Sequence, residues 1–347
     1  MPDARAPFVA DRQRRGKIVR IDLHTHVVPE RWEDWATRYG AGRWPRLVRH
    51  DACHATIMTG DQFFRDITDQ CWSPARRIED MDRLGIDRQA ISPPPVMFCY
   101  WAEPKACQAF ARMQNENVAA LVAAHPDRFA GLATVPLQDT ALAIEELRVA
   151  RERLHLRAVE IGTCPGGRDF DDPALFPFFE ACRDLGVAIF VHPATPLIGQ
   201  ERLTKYYFPL VVGNPLETAL AISKLIYGGV LERLADLRIC FAHGGGAFPF
   251  TLGRLNHAWS VRPEGPKAIP RPPREYARQL YFDSLTHSPA NLRFLVTEFG
   301  ADRVVMGSDY PFALGSPDPV SAIGEAGLDA VTRAALEGGN AARFLSG

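Results

Sequence analysis

Net charge is the first thing this chain lacks. Its 40 basic and 41 acidic side chains leave −1 over 347 residues, so it offers no broad electrostatic footprint for nucleic acid or an anionic membrane surface. No apolar run is long enough to span a bilayer, and the polar, Arg-rich stretch before Arg20 has no apolar core of a secretory signal. The seven cysteines are an odd number, scattered and without a Cys-x-x-Cys pair, which reads as reduced thiols rather than a disulfide framework. No Gly-x-Gly-x-x-Gly follows the first apolar segment, so the fingerprint of a dinucleotide-binding open sheet is missing. Internal repeats, low-complexity tracts and a domain boundary are also absent. The expectation is a cytoplasmic protein whose partner is a small molecule, with no nucleic acid and no membrane.

With 46% hydrophobic residues the chain can bury a large core. Short apolar runs at 18–26, 88–92, 129–135, 158–162, 188–192, 238–243, 280–284 and 304–308 read as strands. Between them, residues 106–125, 140–153, 172–185, 216–228 and 288–299 carry apolar side chains at three- and four-residue spacing and read as helices. Eight strands alternating with helices predict an α/β fold, a (β/α)8 TIM barrel, as one domain across 1–347. Residues 1–17 form an N-terminal extension. Residues from about 29 to 74 are too many for a simple loop after strand one and are expected to form a small insertion covering the mouth. The Pro-rich span 262–273 is expected to be an irregular excursion.

Strand one ends Ile21-Asp22-Leu23-His24-Thr25-His26. Side chains alternate along a strand, so His24 and His26 share a face and can grip one metal ion, although such a pair is also compatible with an ordinary surface or core position. Strand five ends at His192, strand six at His243 before three glycines, and strand eight runs into Asp309. Each has a bland reading: a core histidine bonded to a carbonyl, a turn residue, a helix N-cap. Together they place polar groups at the C-terminal rim, where such barrels keep their active sites.

This set resembles the amidohydrolase superfamily and, within it, the 2-amino-3-carboxymuconate-6-semialdehyde decarboxylase family. The likeness runs through Phe63-Phe64-Arg65, Trp72-Ser73-Pro74 to Asp82, Val135-Pro136-Leu137-Gln138-Asp139, His243 to Gly246, Leu252-Gly253-Arg254, and Gly307-Ser308-Asp309-Tyr310-Pro311-Phe312. It covers the chain from about Ile18 onward.

The resemblance implies one divalent metal, usually zinc with manganese as the alternative, held by His24, His26, His192 and Asp309. It implies His243 as catalytic base and acid, working with metal-bound water whose pKa falls from about 15.7 to about 7. It also implies that Arg65 and Arg254 bind a carboxylate substrate, a job suited to the planar guanidinium, and that Arg254 reaches the neighbouring subunit's site in a homodimer. The implied activity is nonoxidative decarboxylation of a small unsaturated or aromatic acid, such as an aminocarboxymuconate semialdehyde or a hydroxybenzoate. A metal-dependent hydrolase of a lactone or amide on the same site is the alternative, and a non-catalytic barrel would have eroded this set.

Departures from the family pattern limit the choice of substrate. After His192-Pro193 the family is rich in tryptophan, whereas this chain reads Ala194-Thr195-Pro196-Leu197 and then Tyr206-Tyr207-Phe208-Pro209. Glu160 on strand four either supports a second metal or makes a hydrogen bond or ion pair below the site. His287 is a pocket residue or a loop histidine, and Asp283 and Asn340 are expected to be structural.

Overall fold

The computed structural model describes residues 18–194 and 197–346. The N-terminal extension 1–17 and, in the tryptophan-poor segment, Thr195 and Pro196 lie outside the described residues. Eight parallel strands form the barrel: β1 (Ile21–His26), β5 (Arg88–Ser92), β6 (Phe129–Ala133), β7 (Ala158–Ile161), β8 (Ala188–Val191), β9 (Ile239–Phe241), β10 (Tyr281–Asp283) and β11 (Val304–Val305). β2 (Pro45–Arg49), β3 (His54–Thr59) and β4 (Gln62–Thr68) make a separate antiparallel sheet. The barrel ring is completed where Leu23 N donates to Met306 O (2.9 Å) and His26 N to Tyr310 O (2.8 Å).

Two-residue alternation sorts the strands into two packing layers. Outward-facing Val159, Ile161, Ile189, Val191, Ile239, Phe241 and Phe282 are buried with the surrounding helices. Inward-facing Ala90, Ala130, Ala158, Ala188 and Cys240 are small and fill the lower barrel with Phe344 and Leu345 of the C-terminal helix Asn340–Ser346. Above this floor the same alternation delivers Glu160, His192 and Asp283 to the upper interior. A strand buried on both faces reads as a continuous apolar run, which is why the barrel strands stand out in the sequence.

The predicted helices form with shifted ends, as Pro104–Ala124, Thr140–Arg148 with a further turn to Arg153, Phe176–Asp184, Asn214–Tyr227 and Pro289–Phe299. Helix Pro74–Leu84, at the end of the expected insertion, is not singled out by periodicity, yet it carries a clear start signal. The Ser73 side chain accepts from Arg76 N, and Pro74 occupies the first turn. The span 262–273 is not wholly irregular: Glu264–Ala268 is a short helix, with Gly265 packed against Trp259.

The β2–β4 sheet packs through Ala55, Ile57 and Ile67 against Trp35, Trp44, Trp72, Cys99 and Phe110, with Phe312 at the margin of the cluster. That contact ties the segment between β1 and Pro74 to the chain just beyond Asp309. Among the described residues, no helix is long and apolar enough to cross a membrane.

Candidate metal centre

The ends of β1, β8 and β11 converge. His24, His26, His192 and Asp309 present donor atoms within 4.8 Å of one another, all on buried residues. Asp309 Oδ1 stands 3.0 Å from His26 Nε2 and 3.4 Å from His24 Nε2, separations that one cation with bonds of ~2.0–2.2 Å spans. The bare nitrogens supply the test of fit. Among the described residues, His24 Nε2, both ring nitrogens of His26, and His192 Nε2 are buried without a hydrogen-bond partner. Leaving such groups unpaired is costly, and a divalent cation satisfies the inward-facing nitrogens together with the carboxylate.

Electrostatics point the same way. Burial, reinforced by the neighbouring histidines, holds His192 well below the usual imidazole range. Burial likewise lowers His26, to about 4, against the opposing pull of Asp309. Both rings are therefore neutral at pH 7, the form that can bind a metal. For His24 burial also opposes charge, but the hydrogen bond to Asp283 and the attraction of the nearby Asp309 carboxylate outweigh it and raise the ring to about 10. Asp309 is held well below the usual carboxylate range because the imidazoles of His24, His243 and His26 crowded around it overcome the desolvation that would raise it. A cation held among these groups would offset the buried Asp309 carboxylate.

Polar contacts behind these side chains orient them. His24 Nδ1 donates to Asp283 Oδ2 at 2.7 Å, and His192 Nδ1 donates to the Pro193 carbonyl at 2.6 Å. The core-histidine reading of His192 is therefore half right: one nitrogen is bonded to a backbone carbonyl, and the other faces the cluster. Asp283 Oδ1 accepts from Gly244 N (2.8 Å) and Leu285 N (3.1 Å), so one carboxylate fixes both His24 and the turn that carries His243. Asp22 accepts from Ser308 N and Ser308 Oγ, fastening β1 to the segment that carries Asp309. Arg77, 1% exposed, donates to the His26 carbonyl (2.6 Å) and to Thr25 Oγ1 (2.9 Å) and lies over the Tyr310 ring. It clamps the backbone on both sides of the site.

His243 belongs to this place but is set apart from the four. Its Nε2 is 3.9 Å from Asp309 Oδ2, its ring centroid is 4.8 Å from that of His192, and 22% of its side chain is exposed. Its φ of 56° turns the chain into Gly244-Gly245-Gly246. Gly246 is required there: at φ 60°, ψ −127°, an added Cβ would stand 2.5 Å from the Pro215 carbonyl oxygen.

Arg65, on β4, lines a cavity of about 290 Å³ with Tyr207, Leu210 and Phe312. Its guanidinium lies 4.3 Å from the Phe312 ring centre, and that ring is 5.5 Å from His26. The cavity therefore abuts the metal cluster through Phe312. Tyr207 takes part in it, whereas Tyr206 is 77% exposed and is not among its lining residues. Arg254, exposed on helix Phe248–Val261, makes no ion pair or hydrogen bond among the described residues of its own chain.

His287 is exposed and lines a separate cavity of about 160 Å³ with Ser284, Thr286 and Glu325, away from the metal-capable cluster. Asn340 is structural, donating to the Ala301 and Val304 carbonyls. Asp309 caps no helix; the next one begins at Pro319. Sequence reasoning leaves Asp283 as structural and passes over the roles of Asp22 and Arg77. The polar Asp22 and Asp283 within otherwise apolar strands are the available signal.

Taken together, the barrel and its rim of three histidines and an aspartate define a metal-dependent barrel enzyme. The chain belongs to the amidohydrolase family, whose sequence pattern matches residues 21–346. It is 43% identical over 333 residues to a 2-amino-3-carboxymuconate-6-semialdehyde decarboxylase of Dictyostelium discoideum, covering 95% of this chain and 92% of that one. Among solved structures it resembles the 5-carboxyvanillate decarboxylase of Sphingomonas paucimobilis, with 25% identity, a TM-score of 0.79, and coverage of 95% of this chain and 99% of that one. A dihydroxybenzoic acid decarboxylase of Polaromonas, solved with bound manganese and the inhibitor 2-nitroresorcinol, shares the fold at 21% identity and a TM-score of 0.75, covering 94% of this chain and 96% of that one.

Proposed function

We propose that this protein is a metal-dependent, nonoxidative decarboxylase of a small unsaturated or aromatic carboxylic acid, with 2-amino-3-carboxymuconate-6-semialdehyde as the first candidate and hydroxybenzoates next. The observation that carries the reading is the pairing of a four-donor cluster with a fifth group, His243, that faces it and remains accessible. His24, His26, His192 and Asp309 hold one divalent ion, zinc by preference and manganese as the alternative, because three imidazoles and a carboxylate suit both. When bound, the ion supplies Lewis acidity toward substrate oxygens and lowers the pKa of water.

The protein's own groups do the rest. His243 Nε2 carries the proton that replaces the lost carboxylate: protonation of the carboxylate-bearing carbon lets the C–C bond break, CO2 leaves, and the electron pair restores the unsaturation. Arg65, at the cavity beside Phe312, binds a substrate carboxylate. Arg254 does the same for a second subunit in a homodimer, a role supported by its exposure and its lack of a partner among the described residues of its own chain. Seven unpaired thiols suit the cytoplasm. We treat residues 18–346 as one domain, with the β2–β4 sheet as the insertion covering the mouth.

The test is to incubate zinc-loaded protein with the semialdehyde generated in situ, following its absorbance and CO2 release against His243→Ala. His243-dependent CO2 release is expected, with metal content unchanged in the variant. If neither the semialdehyde nor a hydroxybenzoate loses CO2, and a lactone or amide is cleaved with its carboxylate retained, the hydrolase reading replaces this one.

A further inference from the structure

A histidine that ligates a metal through Nε2 keeps its proton on Nδ1, and that proton needs an acceptor to fix the tautomer and the ring plane. Two of the three histidines have such an acceptor in plain sight: Asp283 for His24, and the Pro193 carbonyl for His192. His26 has none within hydrogen-bond reach among the described residues. Its Nδ1 is buried and unpartnered, although the residue is only 1% exposed.

Facing it is a second orphan. Glu160, on β7, is fully buried, and among the described residues neither of its carboxyl oxygens has a hydrogen-bond partner. Its Oε2 lies 3.9 Å from His26 Nδ1. The hydroxyl of Ser92, on β5, which pairs with β1, gives its one proton to the Thr25 carbonyl at 3.0 Å. An unpaired buried donor and an unpaired buried acceptor, about an ångström beyond contact, need only a small side-chain rotation to satisfy each other.

We propose that Glu160 is the positioning carboxylate of His26, its Oε2 accepting a hydrogen bond from Nδ1–H and so turning Nε2 toward Asp309 and the metal. The inference rests on the metal reading above. It also decides between the two roles the sequence leaves open for Glu160. Among the described residues, the metal-capable cluster contains Asp309 and the three histidines but not Glu160, so Glu160 acts behind a ligand rather than on a second ion. With Asp283 it forms a pair of carboxylates, one behind each histidine of β1. The two histidines that share a face are thereby held from opposite sides of the barrel, by β7 and β10.

The experiment compares wild type with Glu160→Leu, Glu160→Asp and Glu160→Gln, measuring the Zn2+ dissociation constant by chelator competition. The His26 ring is read by 15N NMR in the zinc-loaded protein, and thermal unfolding of the metal-free forms is the folding control. Leu removes the acceptor, and Asp withdraws it by one C–C bond of ~1.5 Å, so both should weaken zinc binding by ~10–100-fold. The Gln carbonyl can accept the same bond and should retain most of the affinity. The wild-type spectrum should show a protonated, slowly exchanging Nδ1. Zinc binding unchanged in both the Leu and Asp variants, or His26 ligating through Nδ1, would overturn the role of Glu160 and leave the metal reading standing. Failure of the wild type to bind zinc or manganese would overturn both. Should the Leu variant fail to fold, the Asp and Gln variants still decide the matter.

Discussion

Replacing Asp283 with Asn keeps the shape of the side chain and inverts half of its hydrogen-bonding. Asp283 now accepts three times: from His24 Nδ1 at 2.7 Å through one oxygen, and from Gly244 N and Leu285 N through the other. An asparagine can serve the two backbone donors only by turning its NH2 toward His24. The imidazole must then accept at Nδ1 and carry its proton on Nε2, where the metal should be. If the amide flips instead, two buried backbone N–H groups face a donor, at about 1–3 kcal/mol for each one left unsatisfied. Either choice costs roughly 2 kcal/mol, which matches the ~10–100-fold loss of affinity usual when a partner behind a metal ligand is removed. The assay is competition for Zn2+ against a chelator of known affinity, with unfolding of the metal-free protein as control. A variant that binds zinc within about twofold of wild type, against the tenfold that 1.4 kcal/mol represents, would refute the reasoning, because His24 would then not depend on Asp283 for its tautomer.

Other expectations follow from separate parts of the molecule. Mixing equal amounts of inactive His243→Ala and Arg254→Ala chains under conditions of subunit exchange should restore about a quarter of wild-type activity, since one site of each mixed dimer is complete; no recovery would place Arg254 outside the partner's site. Asn115→Ala should lower stability by about 2–4 kcal/mol in a denaturant titration, because it strips the Thr134 backbone of both its contacts and Glu146 of one. A loss near zero would mean that water replaces the amide. Gly246→Ala should cost at least about 2 kcal/mol and lower turnover more than substrate affinity, since the forced movement passes through the turn next to His243. Wild-type kinetics in that variant would show that the turn absorbs the methyl group.

The barrel and the metal set are legible in the sequence for the same reason. Strands buried on both faces are continuous apolar runs, and a polar residue at the end of such a run is conspicuous, as at His192 and Asp309. Strict alternation along β1 is enough to make His24 and His26 a pair on one face. The β2–β4 sheet is not legible, because half of its surface faces solvent and β4 reads Gln-Phe-Phe-Arg-Asp-Ile-Thr, without a clean apolar pattern. Helix Pro74–Leu84 is obscured by its neighbours, although Ser73-Pro74 marks its start. The supporting groups are harder still. Glu160 and Asp283 are visible as polar residues on apolar strands, but which histidine each one serves depends on register between strands distant in sequence. No local pattern encodes that.

The hydrogen bonds that close the barrel also set an order of events in the life of the chain. His24 and His26 lie on the first strand to be synthesised, and Asp309 follows the last. At translation speeds of ~5–20 residues per second, the first two ligands wait roughly 15–60 s for the fourth. During that interval β1 has no β11 beside it, and its two histidines and Asp22 are exposed on an open edge. A cation captured in that interval would have two of its four ligands, or three once His192 is made, and could leave again; one captured after closure would join the two ends of the sheet. On the proposed reading a metal would act as a latch on a finished ring rather than a seed for folding, and a nascent chain stalled before Asp309 should hold it only weakly.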